Sequence, residues 1–163
     1  MSGASLPTAP LKRRLAAFVY EGVLLFGIVM MAGLLFSAAT NLRDPQNGTL
    51  GLQLLLFALI GLYFTWTWTH GGQTVAMQTW RIRLLRTDGN PLRWPQALAR
   101  YLLAWLWFVP ALVTLKVLGV HGGGMMAAVV LAGVAAYAAL TRLHPDRQFW
   151  HDAVCGTRLV STR

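Results

Sequence analysis

The chain has 163 residues, of which 56% are hydrophobic and only 12% are charged. Soluble domains carry about 25% charged residues, so this composition excludes a soluble enzyme core, a disordered chain and a secreted disulfide scaffold. It indicates a polytopic membrane protein. The formal net charge is +9, but the basic residues lie between apolar runs rather than on a soluble basic face, so no nucleic-acid partner is expected.

Four apolar segments predict four membrane-spanning helices, so the expected fold class is an all-α membrane protein, a four-transmembrane-helix bundle. The helices are expected over about 15–39, 50–69, 97–118 and 125–143. About 20 helical residues cross a hydrocarbon core that is about 30 Å thick. The helices belong to one domain over residues 12–163, which follows a disordered N-terminus at residues 1–11.

Particular residues refine these helices. The first follows a basic cluster that a signal peptide would share, but its apolar run of 22 residues contains Glu21 and is too long for one. Pro110 predicts a kink in the third helix, because proline lacks an N–H donor and clashes with the preceding turn. The fourth segment is rich in Ala and Gly, which predicts a helix packed inside the bundle.

The basic residues of the short loops predict the orientation. When both termini lie on one side of the membrane, 12 of the 14 Lys and Arg residues fall on that side, whereas Arg43 and Lys116 fall on the other. Basic loops stay in the cytoplasm. We therefore expect a multi-pass protein of the cell inner membrane with both termini cytoplasmic.

Two short segments on the basic side alternate apolar and polar residues. Residues 80–84 and 157–160 both follow this pattern, which is typical of a strand with one covered face. They are candidates to pair as a small extended or hairpin element. The alternative is an amphipathic helix on the membrane surface, with Arg81, Arg83 and Arg86 facing anionic lipid headgroups.

Glu21 most needs an explanation, because a charged carboxylate inside a membrane costs several kcal/mol. Arg14 lies about 10 Å away along the helix and is too far for direct contact. Arg100 enters the membrane from the same side and is the better partner by depth. One interpretation is a structural ion pair between the first and third helices, and the other is an ion or proton site. Few hydroxyls are expected near mid-span, so no continuous polar path is evident.

The remaining polar motifs give weaker signals. Two histidines and two aspartates lie within nine residues, namely His144, Asp146, His151 and Asp152. Their spacing fits no standard metal pattern, so a solvated or ion-paired turn is preferred to a metal site. The glycines at 71 and 72 free backbone donors that can meet a phosphate, although a simple helix exit is the stronger interpretation. With no nucleotide fingerprint and no nucleophile motif, we expect neither enzyme activity nor a cofactor.

Four motifs together resemble those of the RDD family of prokaryotic membrane proteins. They are Arg14-x6-Glu21, Gly72-Gln73-Thr74, Arg100 at the start of the third helix, and Asp152-x3-Gly156-Thr157. Their order matches the family, and they extend over nearly the whole chain. Glu21 stands where the family usually has Asp, and Ala76 stands where glycine is common.

The resemblance implies a grouping and a function. It implies that Arg14, Glu21, Arg100 and Asp152 form one buried, nearly neutral network at the cytoplasmic side. A cation/proton antiport role has been proposed for some members of the family, and Glu21 is then the exchangeable carboxylate. The alternative is a non-transporting accessory or scaffold protein. Its basic cytoplasmic face would bind anionic lipid or a membrane protein partner, and a homo-oligomer is a further expectation.

Overall fold

The computed structural model describes residues 6–40, 49–119, 122–141 and 148–162. Its helices are α1 (Leu11–Thr40), α2 (Thr49–His70), α3 (Val75–Thr79), α4 (Trp94–Ala104), α5 (Val109–Val117), α6 (Gly123–Leu140) and α7 (Trp150–Val154). Its strands are β1 (Ile82–Arg86) and β2 (Thr157–Ser161). Arg43, His144 and Asp146, to which the sequence-based predictions refer, lie outside the described ranges.

Within the described residues, four helical segments are long and apolar enough to cross a membrane, as predicted. They cover residues 11–40, 50–70, 94–117 and 123–140. Large apolar side chains such as Val23, Phe26 and Leu34 are more than half exposed on α1. Such a surface is suited to hydrocarbon rather than to water. The fold is therefore a mostly helical membrane bundle.

The third spanning segment is not one continuous helix. It consists of α4, a 3-10 turn at Trp105–Trp107, and α5, which carries Pro110 in its first turn. Proline has no N–H to donate to the carbonyl four residues earlier, and its ring clashes with that carbonyl. The chain therefore tightens before the proline, where Phe108 N donates to Trp105 O over 2.9 Å. The break thus falls in the turn that precedes Pro110.

Helix α6 does not occupy the interior position that its small residues predicted. Ala138 is its one buried residue, and most of its surface is exposed. The small residues of α6 instead allow close contact with α5, on one side of the helix. A Cβ built on Gly133 would lie 2.9 Å from Ala111 Cβ of α5. The helix therefore packs against α5 at the edge of the bundle, and the prediction of an interior helix is wrong.

The two alternating segments form a two-stranded antiparallel sheet. Ile82 lies opposite Ser161 and Arg86 opposite Thr157 in the register of β1 and β2. The side chains of Ile82 and Leu84 point to the core and are almost fully buried, whereas that of Arg83, between them, is exposed. The extended element is therefore confirmed, and the surface-helix alternative for this segment is wrong.

Residues 6–10 pair with the strand β2. Thr8 forms a β-bridge with Val160, and Ala9 N donates to Leu159 O over 3.0 Å. The expectation of disorder over residues 1–11 is thus wrong for residues 6–11, because a partner strand supplies the hydrogen bonds that the isolated segment lacks. Helix α1 also begins earlier than expected, at Leu11, directly after Pro10.

The best-packed part of the molecule is one end of the bundle. It carries residues 6–10, the connection 71–93 and residues 148–162, and we call it the basic end. Its core unites side chains from helices and strands, including Trp68, Ile82, Leu84, Tyr101, Trp107, Phe149 and Leu159. Helix α3 packs under α1, and α7 packs under α4. These two contacts position the side chains of the candidate site.

Candidate functional site

A cavity of about 400 Å³ opens at the basic end between α1 and the segment formed by α4 and the 3-10 turn. Its walls are mostly apolar, with Phe64 and Trp68 of α2 on one side and Phe108 on another. Three charged residues also line it, namely Arg14, Glu21 and Arg100. All three are buried, at 5%, 7% and 7% exposure. The cavity therefore combines an apolar wall with a charged base.

The Glu21 carboxylate is held by two hydroxyl groups. Tyr63 Oη donates to Glu21 Oε1 over 2.6 Å, and Thr74 Oγ1 donates to Glu21 Oε2. Thr74 is the N-cap of α3, and its Oγ1 also accepts from Met77 N over 3.2 Å. An N-cap hydroxyl has a fixed position. The local fold of α3 therefore aims one donor at the carboxylate, and α2 supplies the other.

The predicted pairing of Glu21 with Arg100 is wrong. Within the described residues, no ion pair reaches Glu21, and Arg100 pairs with Asp152 instead. Helix α3 folds beneath α1 and brings Thr74 to the glutamate, whereas α7 folds beneath α4 and brings Asp152 to the arginine. The expectation from helix depth alone overlooked these short helices, which are not part of any spanning segment.

Arg100 and Asp152 form a buried ion pair. Arg100 Nε lies 2.7 Å from Asp152 Oδ1, and the Asp152 side chain is fully buried. The guanidinium stacks over the Trp68 ring at 4.2 Å from its centroid. Thr157 Oγ1 donates to Asp152 O over 3.1 Å. Arg14 lies over the Phe149 ring at 4.7 Å and interacts electrostatically with Asp152. These residues join α1, α4, α7 and β2.

His151 extends this cluster toward α6. His151 N donates to Tyr137 Oη over 3.2 Å, and Tyr137 Oη lies 2.9 Å from His151 Nδ1. A ring proton on Nε2, 3.4 Å from Asp152 Oδ1, would leave Nδ1 to accept from the Tyr137 hydroxyl. Burial lowers the pKa of His151 to about 4, and the Asp152 charge only partly opposes this effect. The ring is therefore neutral at physiological pH.

No metal-binding group is found in the described part of the chain: it contains no cluster of three His, Cys, Asp or Glu side chains. Of the four residues weighed for a metal, His151 and Asp152 are described. His151 Nδ1 is hydrogen-bonded to Tyr137, and Asp152 Oδ1 accepts from Arg100. The two neighbours thus belong to a hydrogen-bonded cluster that holds α7 in place.

The Gly-Gln-Thr segment shapes the basic end. Gly72 has a φ of +69°, and a Cβ built on it would lie 2.7 Å from Leu84 O. Its own carbonyl accepts from Leu84 N over 2.7 Å, and Gln73 Nε2 donates to Ile82 O over 2.8 Å. The segment thus acts as an additional edge partner of β1 and directs Thr74 toward Glu21.

The motif Asp152-x3-Gly156-Thr157 ends α7 with a glycine that also has a positive φ. Gly156, at a φ of +61°, follows the last turn of α7, and its carbonyl accepts from Thr87 N over 3.0 Å. A glycine at this position avoids the strain of a left-handed backbone. Thr157 then begins β2 and bonds back to Asp152. The motif therefore fixes the position of the aspartate.

The three basic residues assigned to lipid contact lie on or beside β1. Arg81, at a φ of +54°, and Arg83 are exposed. Arg83 Nε donates to Gly71 O over 3.2 Å. Arg86 pairs with Asp88 at 2.9 Å. Two of the three are thus partly engaged by the protein itself.

The structure divides the predicted network into two clusters. Arg14, Arg100 and Asp152 belong together, whereas Glu21 shares only the cavity with the two arginines. Sequence reasoning missed the hydroxyl partners Tyr63 and Tyr137. A tyrosine within an apolar span is itself a signal, because a buried hydroxyl requires a hydrogen-bond partner.

The four spanning helices, with a buried polar cluster at their basic end, define a polytopic membrane protein. The model of the RDD family matches residues 8–156, so the chain belongs to the RDD family. Searches of curated proteins and of solved structures gave no match.

Proposed function

We propose that this RDD-family protein exchanges a proton or a small cation at Glu21, in a cation/proton antiport or a related transport process. The observation that carries the proposal is the environment of the carboxylate. It is 7% exposed in a membrane-spanning helix, lines a cavity, and has only neutral hydroxyl partners among the described residues.

Neutral partners distinguish Glu21 from a structural ion pair. A carboxylate that is neutralised by a fixed arginine gains little from binding a second cation. A carboxylate that is held by hydroxyl groups keeps its charge available, and carboxylate and hydroxyl oxygens are ligands that hard cations prefer. Each hydroxyl hydrogen can also rotate when the carboxyl group becomes protonated. Glu21 is therefore suited to exchange.

We further propose that the basic end faces the cytoplasm and that the protein resides in the inner membrane. Arg81, Arg83 and Arg93 are exposed at this end, and basic residues that flank spans remain in the cytoplasm. In this orientation the cavity base lies near the inner leaflet. Cysteine substitution at Arg83 and at Lys116, followed by labelling of intact cells with an impermeant thiol reagent, tests it. Labelling of the Lys116 variant alone is the expected result.

The transport proposal is tested in everted vesicles. A cation pulse should collapse a preformed pH gradient with the wild-type protein and fail to do so with Glu21→Gln, which keeps the size and acceptor oxygen of the side chain. Glu21→Asp, the residue usual in the family, should retain exchange. Asp88→Asn is the matched control, because Asp88 is an exposed carboxylate on a turn. Wild-type exchange in well-folded Glu21→Gln would refute the proposal.

A second candidate function is accessory: binding of anionic lipid or a protein partner through the basic face. The observation that favours it is the set of exposed indoles and guanidinium groups at the basic end, where Trp80 and Trp94 are 39% and 45% exposed beside Arg81 and Arg93. Each basic residue near an anionic surface contributes about 1 kcal/mol. Co-purification of a stoichiometric membrane partner that is lost with Arg81→Gln/Arg93→Gln would support this function.

A further inference from the structure

The cavity contains hydrogen-bond donors that the protein does not use. Trp68 is 4% exposed and lines the cavity, and its buried Nε1 has no acceptor among the described residues. Arg100 makes one hydrogen bond within the same residues, from Nε to Asp152, and its two terminal nitrogens have none. A buried donor without a partner is costly, so Trp68 Nε1 indicates a missing ligand, and the terminal nitrogens of Arg100 are available to the same ligand.

The charged side chains that line the cavity are mostly basic, whereas Asp152, which pairs with Arg100 through Nε, lies outside the lining. Two guanidinium groups and one carboxylate face the cavity, from Arg14, Arg100 and Glu21. His151 also lines it but adds no charge, because burial lowers the pKa of its ring to about 4. A planar guanidinium with free terminal nitrogens matches the oxygens of a phosphate or carboxylate. The donors and the charge thus specify the same kind of ligand.

The rest of the cavity is suited to a hydrocarbon chain. Apart from a few polar residues at its base, its lining is apolar, with Leu25 of α1, Ile60 of α2 and Phe108. On α1, Val19 and Gly22 line the cavity and are also exposed, so it opens sideways to the membrane rather than only to water. The volume of about 400 Å³ falls within the usual range of ligand pockets. A free phosphate would leave these walls without a partner.

The depth of the donors agrees with a lipid headgroup. Trp68 lies in the last turn of α2, and Arg100 lies six residues into α4, or about 9 Å along the helix. Both are at the basic end of their spans. We propose that the cavity binds an anionic phospholipid, with its phosphate on Arg100 and Trp68 and one acyl chain passing Gly22 into the bilayer. This site is distinct from the exposed basic face and does not rest on ion exchange at Glu21.

The test titrates the purified, delipidated protein with palmitoyl-oleoyl phosphatidylglycerol and counts bound lipid by native mass spectrometry. One tightly bound lipid per chain is expected, and palmitoyl-oleoyl phosphatidylcholine should bind more weakly. Trp68→Phe removes the N–H donor and keeps a smaller aromatic ring beneath the Arg100 guanidinium, and Arg100→Lys keeps the charge opposite Asp152. Each should weaken binding at least about tenfold, because a hydrogen bond to a charged group is lost.

A second pair of variants tests the acyl-chain path. A Cβ added at Gly22 or at Gly33 meets no atom within 4 Å, but only Gly22 lines the cavity. Gly22→Leu should therefore block the chain and reduce lipid binding by at least tenfold, whereas Gly33→Leu should bind as the wild type does. If Arg100→Lys does not fold, Trp68→Phe and Gly22→Leu carry the test.

Several results would overturn the proposal. They are equal binding of the two lipids, undiminished binding by folded Gly22→Leu, loss of binding in Arg81→Gln/Arg83→Gln, and binding of inorganic phosphate as tightly as the lipid. Glu21→Gln separates this proposal from ion exchange. It removes the one carboxylate among the described lining residues, so lipid binding should persist or strengthen while exchange is lost.

Discussion

Glu21 and Asp152 are both buried acids at the basic end of the molecule, but the charges around them differ. Asp152 faces the Arg100 guanidinium at 2.7 Å, whereas Glu21 accepts hydrogen bonds from the neutral hydroxyls of Tyr63 and Thr74. A fixed cation commits a carboxylate to one protonation state, and hydroxyls do not. We infer that Asp152 serves mainly the fold, whereas Glu21 is the acid to which the proposed function assigns the exchange.

The largest effect should come from breaking the buried ion pair. Arg100→Ala leaves the fully buried Asp152 carboxylate without its cation and should lower the free energy of unfolding by about 3–5 kcal/mol. The measurement is equilibrium unfolding in mixed micelles. The control is Arg86→Ala, which breaks the exposed pair with Asp88 and should cost far less stability because water screens that pair. Equal losses for the two variants would contradict the structural role of the Asp152 pair.

A smaller effect is expected at the hydroxyl cluster. Tyr63→Phe removes the donor to Glu21 Oε1 and keeps the ring, so it should cost about 1–3 kcal/mol, the usual value for a lost hydrogen bond to a charged group. Tyr20→Phe, at an exposed tyrosine of α1, is the matched control and should be neutral. If Tyr63→Phe lowers stability as much as Arg100→Ala does, Glu21 serves the fold as much as Asp152 does, and the proposed difference between the two acids is refuted.

The smallest effect is a pH dependence that belongs to the Asp152 cluster. Since the pKa of His151 falls from 6.5 to about 4 on folding, the unfolded chain binds the proton more readily, and stability should decline as pH falls from 6.5 toward 4. His151→Gln should flatten that part of the curve. The check is the melting temperature at several pH values for both proteins. Parallel curves for variant and wild type would contradict a neutral buried ring.

Local patterns predicted the elements that depend on local forces. The four apolar runs form membrane-spanning helices because each is long enough to cross the hydrocarbon core. A helix also satisfies the hydrogen bonds of its own backbone, as the hydrocarbon requires. The segments whose sequences alternate apolar and polar residues became β1 and β2, because such alternation suits a strand. The family motifs were also recognisable, and the family assignment is confirmed.

The candidate site could be predicted only in part. Burial of Glu21, Arg100 and Asp152 followed from the cost of placing charge near lipid, but the choice of partners did not. Depth along the spans favoured Glu21 with Arg100. The actual pairing depends on where α3 and α7 pack. Each of these helices has five residues, which is too short for a periodic pattern of apolar residues to predict its position.

The sequence alone determined that this chain is a membrane bundle with its positive charge at one end, because hydrocarbon accepts only long apolar helices. The tertiary structure alone decided which buried acid receives a guanidinium and which receives hydroxyls, because that choice depends on how two short helices fold back beneath the spans. It also decided that a cavity with unused donors remains between α1 and α4.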